Sequence, residues 1–437
     1  MRPARRTRRT IGFAFAALVA AGLTVGVAPA GAGDSNVIRV PQDEPTIQDA
    51  VDASKPGALI LVSPGVYKEA VVVAEEHRNI VIRGLDRAET IVDGEFSEEP
   101  NHENGFKVFA DGVAIENMTA RNFTTNGFFW TGVDGYRGSY LNAIRNGDYG
   151  LYAFDSVNGQ FDNTYASGSP DGGLYIGQCF PCNALIVDSE SEWNGLGYSG
   201  TNAGGNLLIA RSSWHDNRVG IVPNSLTSEE LYPQREAQII GNHVYDNNNA
   251  QSAGIEIAVT AVSNGILVAG GRKNVVERNL VTGHQITGIG VIPLPETALY
   301  GDEPEVRDFD ARDNTVRDNV TSGNQYDLAS ITSLDDPSDA GGNCFADNEY
   351  TTSTPPDVEA VLPCNGPAEG YAADIALFAA LLGSEKAPAI DYKVVALPDP
   401  PADLANMPRA KTAKARPATN EPSITVKVKQ LRVPAGA

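Results

Sequence analysis

Four side chains in the middle of the sequence are of types that move protons and steady charge: Asp171, Glu192, His215 and Arg218. Carboxyls and an imidazole brought together can serve as general acid and base. A guanidinium beside them can steady negative charge developing on a substrate. These four are the candidate catalytic residues, and each has a plainer reading as a turn or surface residue. Tyr198, Asn202 and Asn224 lie at nearby repeat positions and are candidates for substrate binding. Phe129, Tyr152 and Tyr175 recur at intervals of 23 residues. Rings one coil apart would stand about 4.8 Å from each other by strand spacing and offer flat faces to sugars. The plainer reading is a stacking ladder that stabilises the fold, or rings covered by a loop.

Such residues can meet only if the chain returns on itself at a fixed period. A glycine followed by a large apolar residue recurs at Gly105-Phe106, Gly127-Phe128, Gly150-Leu151, Gly173-Leu174, Gly197-Tyr198, Gly220-Ile221, Gly265-Ile266 and Gly288-Ile289. The spacing is 22 to 24 residues, with one interval of 45 that reads as a coil swollen by loops. A period near 23 fits a coil of three short strands and their turns.

A second register runs in step. Asn117, Leu141, Asn163, Ser189, Ser212, Asn242, Asn279 and Asn314 each precede by five residues Asn122, Asn146, Gly168, Asn194, Asn217, Asn247, His284 and Asn319. Asn and Gly tolerate the left-handed backbone of a tight bend, and stacked Asn side chains can bond along a ladder. Between the two columns Tyr165, Trp214, Val244, Val281 and Val316 are expected to point inward. The fold class is therefore all-β, a right-handed parallel β-helix. A short helix over Thr46–Ala53 is expected to cap its first coil.

The insertions Pro223–Glu236, Pro293–Arg307, Cys179–Cys182 and Ser199–Asn206 leave their coils at nearly the same point. Stacking puts them on one side, where they could wall a groove. The expected organisation is a signal peptide at 1–32, the β-helix at 37–365, a C-terminal cap at 366–395 and a flexible, basic Pro/Ala-rich tail at 396–437.

The opening Pro45-Thr46-Ile47-Gln48-Asp49-Ala50-Val51 and the later Pro64-Gly65-Val66-Tyr67 resemble the first coils of the pectin-lyase-like superfamily. Within it, the chain is similar to bacterial exported proteins grouped with the copper-accessory protein of nitrous-oxide reductase maturation. The resemblance spans about residues 37 to 365 and implies the fold. That superfamily holds lyases, hydrolases, epimerases and binding proteins, so it does not choose among activities. The sharp signatures of its polygalacturonases, pectate lyases and mannuronan epimerases do not transfer residue by residue.

Arg2, Arg5, Arg6, Arg8 and Arg9 precede an apolar run from Ile11 to Val27 and small-residue cleavage sites, as in an export signal of the general secretory or twin-arginine kind. Its removal would take the formal charge from −22 to roughly −27. That balance argues against nucleic acid as a partner, and no later segment reads as a membrane span. Cys179, Cys182, Cys344 and Cys364 suit an oxidising compartment, and two local bridges lead the three possible pairings. A redox role for Cys179 and Cys182 is the other reading. Copper is disfavoured for want of clustered soft ligands, since His215, His243 and His284 fall at different repeat offsets. No metal site is assigned, though turn aspartates could hold calcium. The leading expectation is a secreted or envelope protein that binds a polysaccharide in the loop-walled groove, with cleavage or epimerisation as the associated chemistry. A non-enzymatic envelope scaffold or copper-accessory protein is the alternative, and the basic tail is a point of cell-wall contact.

Overall fold

The computed structural model describes residues 36–301, 305–382, 386–419 and 422–436. The expected signal peptide lies outside them. The chain winds into a parallel β-helix with three strand faces, called the first, second and third sheets. The long strands Val113–Arg121 and Asp134–Ile144 run through the first two and join them, and the third stands apart. The first sheet begins with Val37–Val40 and Leu59–Val62, the second with Gly65–Tyr67 and Thr90–Asp93, the third with Val71–Val73 and Phe106–Val108. Every strand pairs with its counterpart one coil away, so Phe128 pairs with Leu151, Leu151 with Leu174, Leu174 with Tyr198 and Tyr198 with Ile221. These are the residues that follow the repeated glycines.

The glycines themselves are dictated by close approach. A Cβ on Gly127 would lie 2.7 Å from the carbonyl oxygen of Gly150, and one on Gly220 would lie 2.4 Å from that of Gly265. No side chain fits in that column. The interval of 45 is a coil enlarged by the loop after Val219–Asn224 and by a second excursion carrying the short helix Ile257–Thr260.

Three ladders tie the coils together at their corners. Ser189, Ser212, Asn242, Asn279, Asn319 and Asn348 form one, each side-chain oxygen accepting from the backbone N–H one coil earlier. Asn194, Asn217, Asn247, His284 and Asn324 form the second. Asn314 was expected in the first ladder and Asn319 in the second. In fact Asn314 stands between Asn274 and Asn343 in a third ladder, which moves Asn319 to the first and Asn324 to the second. The inward column holds Trp214, Val244, Val281 and Val316. Tyr165 is an exception to the reading, because it pairs with Glu190 and faces outward while Ala166 points to the core.

The cap helix is Ile47–Ala53. The Thr46 hydroxyl accepts from the Asp49 N–H at 3.0 Å, and Ile47, Ala50 and Val51 bury over the first coil. Cys179 pairs with Cys182 and Cys344 with Cys364. The expected cap at 366–395 closes the end mainly through Tyr371, which bonds to Ser330 and Thr332. The helix Ile375–Leu382 lies beside Ile257, Leu267 and Leu294 on the flank, and Ala387 and Tyr392 follow earlier coils, because the outer face there is apolar.

The basic segment from 396 does not project freely, as a flexible tail would. It doubles back along the outside of the β-helix. Arg83 donates to the carbonyls of Ala410, Ala413 and Lys414, Met407 N–H donates to Asn117, and Ser423 N–H donates to Gln160. Ala418 packs on Leu59, Leu61, Val81 and Ala114, and Leu431 packs on Ala210 and Ile240. The physical reason is that the first sheet carries apolar residues on its outer face too, and this strap keeps water from them. Its side chains Arg409, Lys411, Lys414, Arg416, Lys427, Lys429 and Arg432 stay exposed. Among the described residues no helix is long and apolar enough to cross a membrane.

Candidate functional site

Strand alternation sends Phe129, Tyr152 and Tyr175 outward from the third sheet, in register on successive coils. The rings form the expected column. Phe129 stacks on Tyr152 with centroids 4.7 Å apart, and Tyr152 meets Tyr175 edge-on at 4.7 Å. The column is not open along its length, because the loop at residues 225–234 folds over it and buries Tyr175 completely. From that loop Glu229 accepts the Tyr175 hydroxyl at 2.5 Å. Asn202 holds the loop in place, donating to the carbonyls of Leu226 and Glu229 at 2.7 and 2.9 Å. Thr227 in turn donates to Glu296 of the next long loop, and Tyr232 packs against Phe309 there.

Under this loop lies a recess of about 330 Å³, lined by Asp148, Tyr149, Tyr152, Asp171, Glu229 and Glu256 among others. Asp148 and Tyr149 begin the strand one coil below Asp171, which places the two aspartates side by side; Asp171 N–H donates to the Asp148 carbonyl. Tyr149 Oη donates to Asp171 Oδ2 at 2.6 Å. Burial pushes the Asp171 carboxyl well above the usual range, the Asp148 charge adds to this, and the Tyr149 hydroxyl opposes it. Burial, then the charge of Glu256, lifts Asp148 to about 6. Burial lifts Glu229 to about 7 against the stabilising Tyr175 hydrogen bond, with Glu256 adding repulsion. Burial also raises Tyr149, Tyr152 and Tyr175, so all three stay protonated donors. Crowded carboxyls with raised affinities can hold a proton near neutrality and deliver it, while a neighbour accepts one. Among the described residues, the lining contains no Lys, Arg or His.

The family description "Right handed beta helix region" matches residues 126–293, the stretch that contains this recess. The chain is a right-handed parallel β-helix protein. Among solved structures, the β-helix is similar to the A-module of mannuronan C-5 epimerase AlgE4 of Azotobacter vinelandii, at 13% identity and a TM-score of 0.49 over 68% of this chain and 88% of that one. It is also similar to an alginate lyase from Paenibacillus sp. str. FPU-7, at 12% and 0.43 over 72% and 99%, and to the pectate lyase Pel9A, at 17% and 0.42 over 70% and 72%. Likeness at this level transfers neither a substrate nor a residue role, and it does not single out the copper-accessory branch. No curated protein sequence matches the chain.

The β-helix separates the four catalytic candidates. Asp171 sits in the recess on the third sheet. Glu192 and His215 pair on the second sheet, at the ends of Glu190–Glu192 and Ser213–His215. His215 Nδ1 is 2.9 Å from Asp216 Oδ2 and 3.8 Å from Glu192 Oε2, and its Nε2 is 3.1 Å from Glu190 Oε1. Burial acts to lower the imidazole pKa, but the hydrogen bonds to Asp216 and Glu190 and the Glu192 charge outweigh it and raise it to about 9. Arg218 joins neither group, because it is buried at a corner with Nη2 and Nε donating to the Ser252 carbonyl and Nη2 also to that of Pro388.

Three of the binding candidates are structural. Tyr198 follows a repeat glycine and so points into the core against Trp214. Asn202 anchors the covering loop, and Asn224 accepts from the Thr201 hydroxyl while donating to the Val222 carbonyl. Asp148, Tyr149, Glu229 and Glu256 were not singled out from the sequence. One signal was there for the first, since Asp148 precedes Asp171 by 23 residues, one coil. Nothing in the repeat marks Glu229 or Glu256, which come from insertions.

Proposed function

We propose that this is an exported β-helix protein that binds a polysaccharide over the Phe129–Tyr152 face and cleaves it by acid–base chemistry in the adjoining recess. The observation that carries this reading is the grouping of Asp148, Asp171 and Glu229, with raised pKa values, beside the Tyr149 and Tyr152 rings. Glu229, at about 7, holds a proton for part of the time at neutral pH and can pass it to a glycosidic oxygen. A second carboxyl, once ionised, takes a proton from water or stabilises positive charge at the sugar carbon, the pairing that glycoside hydrolysis requires. Both faces of the Tyr152 ring are taken, by Phe129 and by Tyr149, so a sugar would lie along the half-buried edge of this column.

The charge of the recess favours a neutral glycan. A uronate would bring its own carboxylate against four acidic side chains, with no cation in the lining to offset it. Hydrolysis of a neutral polymer is thus favoured over lysis or epimerisation of an acidic one. Incubation with panels of neutral and uronate polymers tests this, with reducing ends and unsaturated products both measured. Reducing ends from a neutral glycan are expected. Unsaturated products from a uronate polymer, or no product from either panel, would contradict it.

A second reading, a non-enzymatic envelope scaffold, has support from the strap. Its seven exposed cations lie on an otherwise acidic protein and are suited to anionic cell-wall polymer. That reading predicts retention on an anionic polymer that falls steeply with salt, without turnover.

A further inference from the structure

The geometry points to a second site, a mononuclear divalent-cation site of the zinc class on the second sheet, with Glu192, His215 and Asp216 as its ligands. It is separate from the recess on the third sheet and does not depend on the role given to that recess. One ligand atom from each of the three residues lies within 4.8 Å of the others. Ligands at about 2.0–2.1 Å around a tetrahedral metal stand roughly 3.3 Å apart. The observed separations of 2.9 Å from His215 Nδ1 to Asp216 Oδ2 and 3.8 Å to Glu192 Oε2 bracket that value.

The surroundings are those of a ligand set held in advance. Glu190 Oε1 lies 3.1 Å from His215 Nε2 and accepts that N–H, so Nδ1, whose proton now meets Asp216, is the nitrogen that a metal would take in exchange for that proton. Tyr165 Oη donates to Glu192 Oε1 at 2.6 Å, which turns the other carboxylate oxygen, Oε2, toward the imidazole. The Tyr245 ring stacks on the imidazole at 4.6 Å and 9° and fixes its plane. In register these residues are neighbours by construction, with Glu192 paired to His215 and His215 to Tyr245 on consecutive coils.

Charge argues the same way. Glu190, Glu192 and Asp216 share one imidazole, and among the described residues their ion pairs are to His215 alone. A divalent cation would balance that excess better than a single proton does. One imidazole with two carboxylates is borderline donor chemistry, which suits Zn²⁺ or Co²⁺ more than Ca²⁺ or Mg²⁺. Asp216 is about half exposed, which leaves an entry path and room for water as the fourth ligand. Metal binding at this site releases the Nδ1 proton to solvent and leaves the Nε2–H on Glu190.

The test is titration of the untagged, chelator-treated full-length protein with Co²⁺, read by visible absorbance, and with Zn²⁺, read by calorimetry. One equivalent of either is expected to bind, with Ca²⁺ and Mg²⁺ failing to compete. His215→Gln should abolish the cobalt spectrum. Asp216→Asn, at a half-exposed position where folding is not at stake, should weaken binding at least tenfold. Glu190→Gln, a change behind the ligand, should weaken it by about 10–100-fold. Failure to bind a stoichiometric equivalent, or binding that both His215→Gln and Asp216→Asn leave unchanged, would overturn the assignment.

Discussion

Tyr149 and Asp171, on neighbouring coils of the third sheet, are joined by a 2.6 Å hydrogen bond from phenol to carboxyl at the wall of the acidic recess. Both are buried, so each depends on the other for a partner. Tyr149→Phe should leave the Asp171 carboxyl without its donor and destabilise the fold by about 1–3 kcal/mol, measured by denaturant titration. A change within experimental error would mean that water reaches Asp171 freely.

The recess should make stability depend on pH in a stated direction. Asp148, raised to about 6, and Glu229, raised to about 7, have higher proton affinity folded than unfolded. Their contribution is therefore complete below the unfolded carboxylate values and is lost as pH rises through about 6 to 7. Asp148→Asn and Glu229→Gln should each flatten the fall in melting temperature between pH 4 and pH 7, by an amount on the order of 2 kcal/mol in stability at pH 7. A profile identical to wild type would show that these carboxyls are not desolvated.

His284 should act in the opposite sense. It occupies an Asn position in the second ladder, with Nε2 beside Asn247 and Nδ1 beside Asn324, and burial pushes its pKa down to about 4. The folded state keeps it neutral, so its contribution is present above about 6.5 and is lost as pH falls toward 4. His284→Asn restores the ladder residue and should remove that acid sensitivity, seen as a higher midpoint of acid unfolding.

The strap makes a separate prediction. Arg83 is fully buried between Glu116, at 2.6 Å, and three strap carbonyls. Arg83→Met would leave the three carbonyls without their donor and Glu116 with Arg137 as its remaining partner, at a cost on the order of 3 kcal/mol. It should also turn residues 396–419 into a ready target for limited proteolysis, while they resist cleavage in the wild type. Equal cleavage rates in the two proteins would contradict the packing described.

The fold was legible because its period is written in residues that nothing else can replace. Gly127, Gly150 and Gly173 stack too closely for any Cβ, and the ladder asparagines must keep their offset while loops vary. The errors are of one residue, as at Tyr165, or of one corner, as at Asn314, because three ladders use the same amino acid. The strap was missed for a different reason. Leu59-Ile60-Leu61-Val62 is buried at all four positions, and such a run without alternation signals cover on both faces but not what supplies it. Of the residues in or beside the candidate recess, Phe129, Tyr152, Tyr175 and Asp171 follow the coil period, and their position could be read from it. Glu229 arrives from an insertion whose path depends on anchors such as Asn202, which no spacing rule reveals.

The most direct measurement is release of reducing ends from a neutral glycan by wild type and by Glu229→Gln, between pH 5 and pH 8. The wild type should lose activity as pH rises through about 7, where Glu229 gives up its proton, and the variant should lose at least a hundredfold while keeping its fold. Equal rates in the two proteins at every pH would contradict the acidic recess as the place where the polymer is cut.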